Sequence, residues 1–327
     1  MSQRTVLCIS KGETSASTRY RALTYFPYLQ TAGWQTQHIT ASSSPLKRLH
    51  LLKQAAQVDV VVVLRKTFSV AFLFLLRQFS RQLVFDFDDA IFLRSNGEAS
   101  KLRMKRFHRM MKACDQVWAG NNYLADTARK LNKNVSVLPT SVKPEKYAVT
   151  TNQPENHIDL VWIGSSSTRK YLVNVLPVLE SLSLKHPQCR LKIIADFDLD
   201  TTSIKTLPIQ WQAEIEAKEL VSSHIGIAPM IDNPWTRGKC ALKILQYMAS
   251  GLAVVASPAG INKDVVINNE TGYLATTNEE WLEALQTLII NATLRKKLGE
   301  AGRKQVVEHF SEISTASKML ANLDKLT

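Results

Sequence analysis

The 327-residue sequence predicts an α/β protein made of two doubly wound domains, each a parallel sheet covered by helices. Three observations predict it. Apolar, β-branched runs such as DVVVVL (59–64) and LAVVAS (252–257) are continuous rather than alternating, the pattern of strands buried on both faces. These runs recur between helical patterns along the whole chain. A polar stretch with two prolines and no periodicity, Thr140 to His157, divides the chain near its middle.

In chain order, the first strand is read at 4–10. The small-residue loop after it, KGETSAS (11–17), leads into a helix starting near Ser17 or Thr18. Strands at 34–39 and 58–64 follow, and LVFDF (83–87) is the fourth by count. KLRMKRFHRMMKACD (101–115) interleaves Lys and Arg with Leu, Met and Phe, a basic amphipathic helix whose apolar stripe packs on the core and whose basic face suits anionic lipid. QVWAG (116–120) and VSVLP (135–139) complete the first half. The second half has strands at IDLVWIG (158–164), RLKIIADF (190–197), near Trp211, at HIGIAPM (224–230) and at LAVVAS. Three helices close the chain, at 278–291, 293–308 and 311–325, the last with Ser311 as its N-cap. The expected boundaries are a Rossmann-like domain over 1–145, a linker over 146–157, a second Rossmann-like domain over 158–310, and a C-terminal helix over 311–327 that packs back toward the first domain.

Composition narrows the function classes. Hydrophobic residues at 45% and charged residues at 21% are ordinary for a globular chain with two cores. The apolar window Phe68 to Leu76 is nine residues long, against the roughly 20 needed to cross a bilayer. MSQRTVLCIS has too short an apolar stretch for a signal peptide. The expectation is a soluble cytoplasmic protein, peripheral at most on the inner face of the cytoplasmic membrane. Cysteines 8, 114, 189 and 240 and seven dispersed histidines show neither zinc nor disulfide spacing, so no metal and no cofactor is expected. Charge is asymmetric: residues 1–150 hold 23 Lys and Arg against 9 Asp and Glu, and residues 151–327 hold 18 against 19. The first half therefore suits an anionic partner: phospholipid headgroups, a lipid-diphosphate acceptor or nucleic acid. No recognition motif for nucleic acid accompanies the charge.

Two motifs carry chemistry. LVFDFDDAIF (83–92) crowds Asp86, Asp88 and Asp89 into four positions, which demands a nearby cation. By itself it resembles the nucleophile loop of a haloacid dehalogenase-type phosphatase, with Asp86 attacking and Asp88 as acid/base, or the metal-binding Asp-x-Asp of some sugar transferases. Asp89-Ala90 after the pair, and its place on the fourth strand, count against the phosphatase. The second motif, PWTRGKCALKILQYMASGLAVVASPAG (234–260), resembles the retaining nucleotide-sugar glycosyltransferases of family 4, which have the GT-B fold: two Rossmann-like domains facing across a cleft. NNETGYLA (268–275) extends the match, which covers essentially the whole second half and the first more weakly.

The resemblance implies a sugar transferred from a nucleoside diphosphate sugar, as co-substrate, to an acceptor hydroxyl, with retention. The family's setting suggests cell-surface polysaccharide or lipopolysaccharide assembly on a lipid-linked or membrane-held acceptor. It places the donor at Gly164, Ser165 and Ser166, at Trp211, and at Gly238, Lys239, Cys240, Lys243 and Gln246. Lys239 and Lys243, four apart in an expected helix over 239–249, would share one face and meet the β-phosphate as the sugar leaves, with amides of 238–241 cradling the diphosphate. Gln246 stands where the family's second glutamate holds the ribose, and Gly238 where its first stands. The acceptor wall would comprise Ser17, Thr18, Arg19 and Arg21, with Asp88 and Asp89 orienting or deprotonating the acceptor hydroxyl. The departures at Gly238 and Gln246 keep a non-catalytic nucleotide-sugar-binding subunit as an alternative; an epimerase on the same fold, which would need no second substrate, is another.

Overall fold

The computed structural model describes residues 3–148, 153–154 and 156–327; residues 149–152 and 155 of the expected linker lie outside them. The chain divides into two compact units. The first comprises Met1–Ser141, Asn233–Cys240 and Glu312–Thr327, and the second Val142–Asp232 and Ala241–Ser311.

The first unit is built on six parallel strands: β1 (Arg4–Ser10), β2 (Trp34–Thr40), β3 (Val60–Leu64), β4 (Gln82–Phe87), β5 (Gln116–Ala119) and β6 (Val135–Val137), in the order β2-β1-β3-β4-β5-β6. β3 is Val-Val-Val-Val-Leu and wholly buried, as a central strand covered on both faces must be. On one face lie α3 (Pro45–Ala55), α4 (Val70–Phe79), α5 (Lys101–Ala113) and α6 (Asn122–Arg129), packed through Leu51, Phe72, Leu76, Phe107, Met110 and Leu124. The other face is covered by α1 (Ala16–Arg21), α2 (Phe26–Thr31) and the C-terminal helix α13 (Glu312–Asp324), through Tyr25, Leu29, Ala316, Met319 and Leu323. Local chemistry sets several helix starts: the side chains of Ser69, Ser100 and Asn121 accept backbone N–H groups of α4, α5 and α6.

The second unit has β7 (Ile158–Ile163), β8 (Cys189–Ala195), β9 (Lys205–Gln210), β10 (Ile225–Ala228), β11 (Ala253–Ala256) and β12 (Gly272–Leu274), in the order β12-β11-β10-β7-β8-β9, again all parallel. Its helices are α7 (Arg169–Lys185), α8 (Glu216–Val221), α9 (Leu242–Ala249), α10 (Asn262–Val265), α11 (Asn278–Ile290) and α12 (Ala292–His309). Trp211 follows β9 rather than lying in a strand, and β12 is formed by the GYL of NNETGYLA.

Both sheets reverse their winding once, between β1 and β3 in the first unit and between β7 and β10 in the second. Ligands of open α/β sheets sit beyond the carboxyl ends of the strands at such points. One chain segment departs from the sequence reading. Asn233–Cys240, expected within the second domain, belongs to the first unit. Its Thr236 is fully buried, Gly238 packs on Ala90 so closely that a Cβ would lie 2.7 Å from that residue, and the Asn121 amide donates to the carbonyls of Arg237 and Lys239.

Candidate functional site

In the second unit, Gly164 directly follows β7 at the reversal point. A Cβ there would lie 2.3 Å from the Trp162 indole and 2.8 Å from Thr168 Oγ1, so only glycine fits this turn. The next residues form a capping box between Ser165 and Thr168, which starts the turn leading into α7. Ser166 is committed to Asp196 at the end of β8: its N–H and hydroxyl donate at 2.7 and 2.9 Å, and these bonds hold the Asp196 carboxyl below its usual range. Lys243, in the first turn of α9, places its Nζ 4.4 Å above the ring of buried Trp162. A fixed ammonium thus stands over the strand that runs into the Gly164 turn, an arrangement that suits phosphate oxygens. Beyond β10 and β11 a cavity of about 270 Å3 opens among Tyr171, Asn174, Met230, Ser257 and Trp281.

Several expected donor residues do otherwise. The helix expected over 239–249 begins only at Leu242, because Ala241 adopts left-handed backbone (φ 54°, ψ 23°) and Lys239 is extended (ψ 151°). Lys239 and Lys243 therefore share no helical face. The Gly238 and Lys239 amides donate to the carbonyls of Trp235 and Thr236 inside a 3-10 turn, so they are not an open phosphate cradle. Cys240 turns its Sγ to the Asp88 carbonyl, 3.3 Å away, and burial pushes its thiol up to about 12. Gln246 is buried and donates to the Tyr147 hydroxyl; that hydroxyl donates to Glu216, which also accepts from Trp211 Nε1 and pairs with Lys146. Gln246 and Trp211 thus belong to an internal network joining α9, α8 and the 144–147 turn.

In the first unit, the carboxyl ends of β1 and β3 enclose a small cavity of about 30 Å3, lined by Ser10, Lys11, Ser15, Ser17, Thr18 and Arg65. Thr18 is buried, its hydroxyl donating to Ser10 Oγ at 2.8 Å. Arg21 is no acceptor ligand: it is buried and grips Asp86 with two bonds of 2.6 and 2.5 Å, a third going to the Leu138 carbonyl. Burial works against the Arg21 charge, but Asp86 outweighs it and raises the Arg21 pKa above its ordinary value. Asp86, so held, is not an accessible nucleophile. Arg19 lies near the Tyr20 ring, at 5.9 Å.

The remaining carboxylates are organised by Arg65, which the sequence reading missed. Arg65 directly follows β3 with φ +54°, an uncommon conformation for a residue with a side chain. Its guanidinium reaches Asp88 Oδ1 at 3.2 Å, Asp89 Oδ2 at 2.8 Å and the Ser17 hydroxyl. Burial lowers its pKa, and Asp88 and Asp89 raise it by more. Asp89 is further committed to Lys239 Nζ at 3.1 Å and to the Ala90 amide. Asp88 is held more loosely: its Oδ1 accepts no hydrogen bond among the described residues despite its burial. The signal that could have found Arg65 is its place, the first residue after a central buried strand at the reversal point. Among the described residues no cluster of three or more His, Cys, Asp or Glu could hold a metal ion.

Residues 144–305 match the family model described as glycosyl transferases group 1. An uncharacterized glycosyltransferase of Methanocaldococcus jannaschii is 25% identical over 166 residues, 48% of this chain and 42% of that protein, so the match spans less than half the length of that relative. In structure, a glycosyltransferase from Rickettsia africae superposes with a TM-score of 0.76 at 17% identity, over 100% of this chain and 99% of its own. Anabaena HepE, solved in complex with UDP and glucose, superposes with a TM-score of 0.74 at 14% identity, over 98% and 100%. The two parallel six-stranded α/β units are those of GT-B glycosyltransferase structures, and residues 144–305 of the chain are of the glycosyl transferases group 1 type.

Proposed function

We propose that the protein transfers a sugar from a UDP-sugar to an acceptor hydroxyl with retention of anomeric configuration, the second unit holding the donor and the first the acceptor. The observation that carries the reading is Lys243 over Trp162 beside the Gly164 turn, where the second sheet reverses. Negative charge grows on the β-phosphate as the glycosidic bond breaks, and an ammonium already held in place stabilises that charge without reorganisation. The Gly164 turn lets backbone approach the diphosphate. UDP enters by analogy with Anabaena HepE, whose structures hold UDP and UDP-glucose. In the first unit, Asp88 pairs with Arg65, whereas Asp89 serves Arg65, Lys239 and Ala90, so Asp88, the less committed of the two, is the better partner for an acceptor hydroxyl. The acceptor is a saccharide held at a membrane, on the strength of the basic first half, in cell-surface polysaccharide or lipopolysaccharide assembly.

Titration calorimetry with UDP and UDP-glucose tests the donor half. Wild type is expected to bind, and Lys243→Ala to bind roughly 10- to 100-fold more weakly, the value of a charge-assisted contact. Lys239→Ala is expected to keep its UDP affinity, since that ammonium is engaged by Asp89. Wild-type affinity in Lys243→Ala would remove the donor assignment. Product NMR showing an inverted anomeric centre would overturn retention.

A further inference from the structure

Three neighbouring helices of the first unit share an outer surface that sugar transfer does not use. α3, α4 and α5 cover the same face of the first sheet, α3 packing on α4 and α4 on α5. Their inward residues are buried in one cluster, yet their outward sides expose large apolar groups: Leu46 (80% exposed), Leu49, Phe74 (62%), Leu75, Phe79 and Leu102. Scattered exposed apolar residues are ordinary on a protein surface; six on three adjoining helices form a patch. The charges among them are of one sign. α3 carries three Lys or Arg, α4 one and α5 six, and none of the three helices contains a single Asp or Glu. The nearest following carboxylate, Asp115 beyond α5, is taken by Arg77 of α4 at 3.1 Å. In α5 the cations Lys101, Arg103, Lys105, Arg106 and Lys112 are all exposed while Phe107, Met110 and Met111 are buried. Core packing therefore explains the inward stripe of α5 and leaves unexplained both the outward cations and the exposed phenylalanines of α4.

We propose that this three-helix face docks the protein on an anionic lipid bilayer, the lysines and arginines of α3 and α5 meeting headgroup phosphates and Phe74, Leu75 and Phe79 entering the interface. Charge complementarity decides the occupant. A nucleic acid would satisfy the cations and leave the apolar side chains in water, whereas the headgroup region takes both. The inference deepens the reading of a membrane-held acceptor, and rests on that reading only for its purpose, since the surface is physically independent of Lys243 and Asp88.

Flotation of the full chain with vesicles tests it, using phosphatidylcholine alone and phosphatidylcholine mixed with phosphatidylglycerol. Binding is expected only to the anionic vesicles, and raised salt should release it. Lys105→Glu/Arg106→Glu/Lys112→Glu should bind them on the order of 100-fold more weakly. Phe74→Ser/Phe79→Ser should weaken binding while preserving its preference for anionic lipid. Hydrogen-exchange protection of β1 to β6 in the same variants shows that the first unit is folded, and their UDP affinity should be unchanged. Failure to float with anionic vesicles, equal binding to pure phosphatidylcholine, or undiminished binding by the charge-reversed variant would each overturn the docking surface. A wild-type protein that floats but does not bind UDP would instead sink the donor reading and leave this one standing.

Discussion

At the scale of single residues, the main structural charge pair is Arg21 with Asp86, both about 1% exposed and joined by two hydrogen bonds. Breaking a buried pair on one side strands the other charge. Arg21→Met is therefore expected to destabilise the first unit by about 3–5 kcal/mol in urea unfolding, and adding Asp86→Leu should recover much of the loss. If the double variant were no better than the single, the ion pair would not be the source. The neighbouring carboxylates should separate by function: Asp88→Asn is expected to lower kcat at unchanged UDP affinity, whereas Asp89→Asn should loosen Arg65 and Lys239 and lower thermal stability as well. Little of this division was legible in the sequence. The triplet's need for cations was, because three carboxylates in four positions cannot stand unpaired. Which cations was not, because Arg21 and Arg65 reach it through the strand order β1-β3-β4 rather than through proximity along the chain.

At the scale of elements, the strands and helices were readable where continuous apolar runs or capping residues mark them, as in β3 and at the Thr277–Glu280 capping box of α11. The start of α9 was misread because Ala, Leu and Lys are all good helix formers, and only the left-handed Ala241 delays the helix to Leu242. Gln246 was assigned to the ligand by its place in the motif, yet its fate depends on Tyr147, 99 residues away in sequence. Close element contacts make two further predictions. A Cβ at Gly299 of α12 would lie 2.0 Å from the Gly251 carbonyl oxygen, at the turn between α9 and β11. Gly299→Ala is thus expected to cost about 1–3 kcal/mol or more by overpacking, read as a lower urea midpoint. His224, just before β10, accepts the Asp159 N–H at Nδ1 and donates from Nε2 to the Pro154 carbonyl, bonds that need the neutral ring. Burial, with Arg295 assisting, lowers its pKa from 6.5 to about 4. The unfolded chain then binds the proton more readily, so stability is full above pH 6.5 and falls as pH drops toward 4. After solvent screening the loss is on the order of 2 kcal/mol, and His224→Gln should flatten the melting temperature across that window.

At the scale of the whole molecule, chain order and unit membership do not coincide: the last helix returns to the first unit. α13 lays Ala316, Met319 and Leu323 into one cluster with Val6, Tyr25, Leu29 and Trp34, and Glu312 accepts a hydrogen bond from the Thr24 hydroxyl. Arg4 and Asp324 add an exposed ion pair of small value. Burying the two larger apolar side chains, Met319 and Leu323, is worth about 1.5–3 kcal/mol each. Their sum, about 3–6 kcal/mol, reaches the lower end of the whole stability of a typical domain, about 5–15 kcal/mol. Removing residues 312–327 is therefore expected to unfold the first unit while leaving the second, whose cores contain no α13 residue, intact. Hydrogen exchange followed by mass spectrometry reads this strand by strand: protection should vanish from β1 to β6 and persist in β7 to β12. Protection retained in β1 and β3 would mean that α13 only decorates the first unit. Simultaneous loss in both sheets would mean that the units do not fold independently. Point substitution of Leu323→Ala, which leaves the helix in place, should give the same pattern in weaker form, at about 2–5 kcal/mol.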